Sequence, residues 1–222
     1  MEPIKSLSSS MQETIEYGNL EFLGDIGELV IDSVLNEGLL KDIPVLGSLV
    51  GVGKCIKNAY DYIFAKKLIA FLFPIKDVPM EVRSDAIKRW EKDEFFRGNV
   101  GETLIGMIER CDNTVKAVWL SKLFYELVLR RNYSRLFMRA EKALSSLSVM
   151  DLQAFLSFPS ESFDSISVEE CEPFVGSGLY LNLKPPIVVD MSVYYVDDHY
   201  NASEIGVWIY HVLNDIPMPD MK

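Results

Sequence analysis

With 222 residues, 49% of them hydrophobic and 25% charged, the chain can bury a sizeable core, and its composition excludes an intrinsically disordered protein. Its formal net charge of −11 is partitioned: residues 1–42 sum to −7, residues 43–150 to +6 and residues 151–222 to −10. A basic middle between acidic ends suggests electrostatic docking within the chain and argues against nucleic-acid binding by either end.

Cys55, Cys111 and Cys171 are odd in number and far apart, which gives neither a disulfide framework nor a Cys-x-x-Cys metal site. A reducing cytoplasm is the expected location. The first residues contain Ser8, Ser9 and Ser10 but no apolar core segment, so no secretory signal is expected.

In chain order, Ile26, Leu29, Val30, Val34 and Leu35 recur at helical spacing before Gly38 and predict an amphipathic helix over 25–36. A second stripe, Leu49, Val52, Ile56, Tyr60, Ile63, Phe64, Leu68, Phe71 and Leu72, holds the same period until Pro74, with Lys57, Asp61, Lys66 and Lys67 on other faces. Asp77 and Pro79 then start a helix with Val82, Ile87 and Trp90 inward. After Gly98 a helix buries Val100, Leu104, Met107, Ile108 and Cys111, and the caps Asp112, Asn113 and Thr114 open another that runs to about Arg130. Asn132–Ser134 breaks it before a helix over 135–146. The pattern predicts about six helices and no strand before residue 150.

Beyond Met150 the character changes. Leu152, Phe155, Leu156 and Phe158 predict a short helix and 167–174 another, followed by strands over 179–183 and 187–196 around Pro185-Pro186. Asn201 with Glu204 reads as a capping box for a last helix carrying Ile205, Trp208, Ile209 and Val212. The expected fold is mainly α: a multi-helix body over 1–148 and a small acidic α+β module over 149–222.

Residues 43–55 invite comparison with a phosphate-binding loop, but Ser48 stands at the first glycine position and Cys55 at the hydroxyl position, so no nucleotide site is expected. The same stretch carries Gly47-x-x-x-Gly51 inside eleven uncharged residues, 43–53, about half of a membrane span. Two readings fit it: a tightly packed helical hairpin, which is preferred, or a segment that enters a membrane on activation. Arg131, Arg135, Arg139 and Lys142 lie near one helical face opposite Leu136, Phe137, Ala140 and Leu144. That face either meets solvent or docks the chain's own acidic blocks, which is the preferred reading, or it grips phosphate on nucleic acid or lipid. Asp190, Asp197, Asp198 and His199 read as solvated turn formers, so no metal is expected, and with two histidines in all no catalytic constellation is visible. No cofactor is expected.

Four ordered blocks carry a resemblance: 43–54, Phe64-Ala65-Lys66-Lys67-Leu68 with Phe71-Leu72, Val100-Gly101-Glu102-Thr103-Leu104, and Lys122-Leu123-Phe124. In these the chain resembles an uncharacterised family of bacterial helical proteins of accessory-genome type, which implies a stress or phage-defence setting and no carried-over functional residue. The C-terminal module resembles a winged helix, with Tyr194-Tyr195-Val196 as wing strand and 202–206 opening the closing helix. Its candidate recognition segment, Val168-Glu169-Glu170-Cys171-Glu172, is acidic, so the resemblance implies protein binding and no DNA binding. The functional expectation is a non-enzymatic protein-interaction or regulatory protein; the alternatives are a membrane-active effector using 43–53 and an enzyme whose site is invisible in sequence.

Overall fold

The computed structural model describes residues 6–20, 23, 43–50, 59–96, 98–159, 174–183 and 199–217, and these are mainly helical with one small two-stranded antiparallel sheet. The predicted helix over 25–36, the part of the second stripe that carries Val52 and Ile56, the predicted helix over 167–174 up to residue 173, and the predicted strand over 187–196 lie outside the described residues. The chain divides into two compact units, Met1–Met138 and Arg139–Lys222.

The first unit starts with a helix that the serine-rich leader did not announce. In α1 (Leu7–Tyr17) the Ser6 hydroxyl accepts from the Ser9 amide at 3.1 Å, and Ser10, Met11, Thr14 and Ile15 line a buried face. Ser10 bonds to Ser48 of the next helix, α2 (Pro44–Val50). Thr14 Oγ1 donates to the Ser10 carbonyl at 2.7 Å and accepts from the Val45 amide at 3.0 Å, which satisfies one open donor of α2 and fixes its entry angle.

Helix α3 (Ala59–Leu72) buries Phe64, Leu68, Phe71 and Leu72 as the stripe predicts, and a 3₁₀ turn containing Pro74, Phe73–Asp77, ends it. Two expectations are corrected here. Tyr60 and Ile63, placed inward by periodicity, are 66% and 50% exposed near the start of the helix. Lys67, placed outward, is buried: its ammonium donates to the carbonyls of Glu109 at 3.2 Å and Cys111 at 2.7 Å, which close the C-terminal end of α5 (Val100–Arg110). Unpaired carbonyls carry the negative end of a helix dipole, so a cation is stabilised there.

The same device organises α4 (Met80–Trp90). Ile87 and Trp90 are buried as expected, but Val82 is only half-buried and Arg83 beside it is 4% exposed. Its guanidinium donates through Nε to Val78 O at 3.1 Å, through Nη1 to Thr14 O at 3.3 Å and Ile15 O at 2.8 Å, and through Nη2 to Gly18 O at 3.0 Å. Arg83 thus gathers three carbonyls at the end of α1, of which Thr14 O also accepts from the Gly18 amide at 3.0 Å. Burial pulls its pKa below the usual arginine value while nearby Glu81 opposes the shift, and the group stays charged at any accessible pH.

Helix α5 buries Val100, Leu104, Met107, Ile108 and Cys111, all as the spacing predicts. Asn99 caps it, accepting from the Glu102 amide at 3.0 Å and donating to its carboxylate at 2.6 Å. At Gly101 the backbones of α5 and α1 meet: a Cβ there would collide with the Ser8 carbonyl. Helix α6 (Thr114–Leu129), capped by Asn113, carries Phe124 into the centre of an aromatic cluster with Phe71 at 5.0 Å, Trp90 at 5.3 Å and Phe137 at 5.8 Å between ring centroids. Asn132, at φ 66°, supplies the left-handed residue that breaks the chain before α7 (Ser134–Ser146), as the sequence predicts.

The described part of the second unit contains α8 (Val149–Leu156), β1 (Tyr180–Leu183), β2 (His199–Ala202) and α9 (Glu204–Leu213). A capping box between Ser148 and Asp151 opens α8. The strands pair antiparallel, Tyr180 opposite Ala202 and Leu183 opposite His199. Asn201, expected to cap the last helix, is a strand residue opposite Leu181, and the cap is Ser203, whose hydroxyl accepts from the Gly206 amide at 3.0 Å. The Ser203 amide also donates to Leu179 O at 2.8 Å, so α9 begins hydrogen-bonded to the residue that precedes β1. Phe155 lies edge-on to Tyr180 and Tyr210, and the Tyr210 hydroxyl donates to Phe158 O at 2.6 Å.

Two substitutions check this account. Arg83→Met keeps much of the side-chain volume but removes a donor that reaches four carbonyls, and is expected to lower unfolding free energy by roughly 2–3 kcal/mol in a urea titration. Exposed helical Gly→Ala changes normally stabilise by about 0.5–1 kcal/mol. Gly101→Ala is expected to reverse that sign and destabilise by about 1–3 kcal/mol, because α1 must move.

Candidate functional site

Two sets of basic side chains stand out among the described residues. Lys67, Arg83 and Lys116 are buried, the last with its ammonium 3.0 Å from the Asp112 carboxylate, and they serve the fold. Arg131 and Arg135 are exposed and make no hydrogen bond or ion pair among the described residues; the same holds for Arg139 and Lys142 further along α7. Spacing of four and three residues puts Arg135, Arg139 and Lys142 near one side of α7, whereas Arg131, which the sequence reading places on the same helical face, precedes the helix in the turn and is separated from it by the left-handed Asn132.

The turn that introduces this face also closes a cavity within the first unit. Its walls are Arg89 and Trp90 from the last turn of α4, Asp93 just beyond, Arg130, Arg131 and Asn132 from the α6–α7 turn, and Ser134 at the start of α7; its volume is about 350 Å³. Arg89 donates to Val128 O at 3.3 Å, which ties the end of α4 to the end of α6. Arg130 Nε donates to Glu126 at 2.6 Å, and its guanidinium lies 5.9 Å from the centre of the Tyr133 ring. That carboxylate bond is the main reason its pKa is raised above the usual arginine value. Trp90 is 2% exposed and stacks on Phe96 at 5.2 Å, so the cavity rests against the aromatic core.

Sequence reasoning found Arg131 and missed Arg89, Arg130 and Asp93. The Arg130-Arg131 pair beside a turn-forming Asn132 was the available signal for Arg130. Arg89 and Asp93 come from a different helix end, and only tertiary structure brings them there. Of the remaining candidates, Gly47 is half-buried in α2 and Gly51 lies outside the described residues. Residues 44–50 are helical and Ser48 bonds to Ser10, so this stretch of the comparison with a phosphate loop has no loop to offer. Asp190, Asp197 and Asp198 lie outside the described residues, His199 is a β2 residue, and His211 Nδ1 is 2.8 Å from Pro217 O. Among the described residues no group of His, Cys, Asp and Glu could hold a metal ion, and no helix is long and apolar enough to cross a membrane.

No family model, curated protein or solved structure matches the chain.

If the exposed cations of α7 do not serve the fold, their removal leaves stability intact. The double charge reversal Arg135→Glu with Arg139→Glu is expected to change unfolding free energy by no more than about 0.5 kcal/mol, in contrast to Arg83→Met. Parallel thermal melts of the two variants make the comparison.

Proposed function

We propose that this is a non-enzymatic interaction or regulatory protein that recognises an acidic protein surface through Arg131, Arg135, Arg139 and Lys142. The observation that carries this reading is the exposure of these four cations with no hydrogen bond or ion pair among the described residues, in contrast to Lys67 and Arg83, whose charged groups bond to carbonyls at helix ends. Arginine forks reward carboxylates with paired, charge-assisted hydrogen bonds, and an array of them sets orientation and association rate more than raw affinity.

In this reading the acidic C-terminal part is a winged-helix-like module used for protein contacts. Helix α8, the β1–β2 pair and α9 supply elements such a module needs, and the −10 charge of residues 151–222 repels DNA phosphates. The setting is the bacterial cytoplasm, with a stress or phage-defence role following from the family resemblance alone. A membrane-active role for 43–53 is the less favoured reading, because Ile43, Val45 and Leu46 are buried against the rest of the first unit.

The test uses a defined acidic chain. Immobilised poly-L-glutamate is expected to retain the wild-type protein at about 50 mM salt and release it as the Debye length shortens from about 10 Å at 0.1 M toward 3 Å at 1 M. Retention of the Arg135→Glu, Arg139→Glu variant at wild-type level would remove the basis of the proposal, as would sub-micromolar sequence-specific binding of duplex DNA in an anisotropy titration.

A further inference from the structure

The cavity at the α6–α7 turn is lined by three arginines from two separate helix ends. We propose that it is a binding site for a small, multiply charged oxyanion of the phosphate class, held by Arg89, Arg130 and Arg131. The inference shares only Arg131 with the acidic-partner reading and does not depend on it.

The argument rests on how little of this donor capacity is used internally. Each guanidinium offers five N–H groups. Arg89 directs one nitrogen to Val128 O, Arg130 directs Nε to Glu126, and Arg131 has no partner among the described residues. The one acid on the wall, Asp93, already accepts from the Phe95 amide at 2.9 Å through Oδ1. Three positive groups stand against Asp93 on the wall and Glu126, which pairs with Arg130 from outside the lining, so a surplus of one positive charge remains. Arginines supplied by α4 and by the turn to one cavity suit a tetrahedral oxyanion, which can take paired bonds from more than one planar fork at once.

Neutral donors complete the lining. The buried Ser134 opens α7, a thirteen-residue helix whose N-terminal amides add partial positive charge, and Asn132 is fixed beside it by its left-handed backbone. The geometry also limits the ligand. Trp90 is buried and stacked on Phe96, so it offers no open aromatic face for a nucleobase, and the cavity selects the charged group itself.

The full chain, labelled with ¹⁵N, is titrated with inorganic phosphate and with pyrophosphate at ionic strength held constant by sodium chloride. Saturable shifts of the Arg89, Arg130 and Arg131 Nε–H signals are expected, tighter for pyrophosphate. Arg131→Gln, at an exposed position, should fold normally and weaken pyrophosphate binding about tenfold, the effect of one charge-assisted contact. Arg89→Gln should do the same, and Arg135→Glu should leave pyrophosphate affinity unchanged, which separates this site from the acidic-partner face. Shifts that never saturate, that chloride alone reproduces, or that persist at wild-type affinity in both glutamine variants would overturn the proposal.

Discussion

The Arg83 guanidinium is the interaction on which the first unit depends. A buried charge without a carboxylate partner is ordinarily costly, and here the compensation comes from four carbonyl oxygens, three of them at or just past the end of α1. The last turn of a helix presents its carbonyls at the C-terminal end, where the dipole adds to the attraction, and Thr14 O accepts from the Gly18 amide as well. One side chain therefore solves two problems: it terminates α1 and it fixes α1 against α4. Because α1 also packs on α2 and α5, the placement of three neighbours follows from that one anchor. Lys67 repeats the arrangement at the end of α5, joining it to α3.

This use of cations changes the meaning of the charge pattern. The basic surplus of residues 43–150 suggests a uniformly positive body, yet Lys67, Arg83 and Lys116 lie inside it and are neutralised by carbonyls or by Asp112. Among the described residues Arg130, Arg131, Arg135, Arg139 and Lys142 are exposed from the α6–α7 turn onward, and Lys88, Lys92 and Arg110 are exposed elsewhere. Surface potential is set by exposed charge, so the charge count of a segment overstates what it presents to solvent. Buried cations respond weakly to salt and exposed ones strongly. Stability and recognition accordingly draw on different members of one residue class.

That division also explains what could be read without coordinates. The inward face of α5 and the breaks at Asn113 and Asn132 were legible, because apolar spacing and turn chemistry act locally. Arg83 and Lys67 were not, since hydrophobic patterning assigns every cation to solvent and their acceptors belong to helices distant in sequence. The same limit hid α1, whose serines resemble a loop until Ser6 is seen as a cap and Ser10 as a buried contact. At the start of α9 the competition was between two cap candidates two residues apart, and pairing of Asn201 with Leu181 in the sheet decided for Ser203. Of the candidate site, the α7 stripe was legible as a helical face, whereas its cavity needed α4 and the α6–α7 turn to meet.

The cavity and the core are mechanically continuous. Trp90 stands between them, one position after Arg89, and stacks with Phe96 while leaning on Phe124, which in turn meets Phe71 and Phe137. Close-packed aromatic rings transmit displacement because there is no free volume to absorb it. Arg89 is therefore held in place by the core on one side and by Val128 O on the other, while Arg131 on the opposite wall is exposed and has no partner among the described residues. A site built from one fixed and one adjustable arm places the geometric precision in the helix end and leaves adaptation to the turn. The residues that define the position of the site are then the same aromatic residues that stabilise the unit, so its location is constrained by folding even where its outer arginines are not.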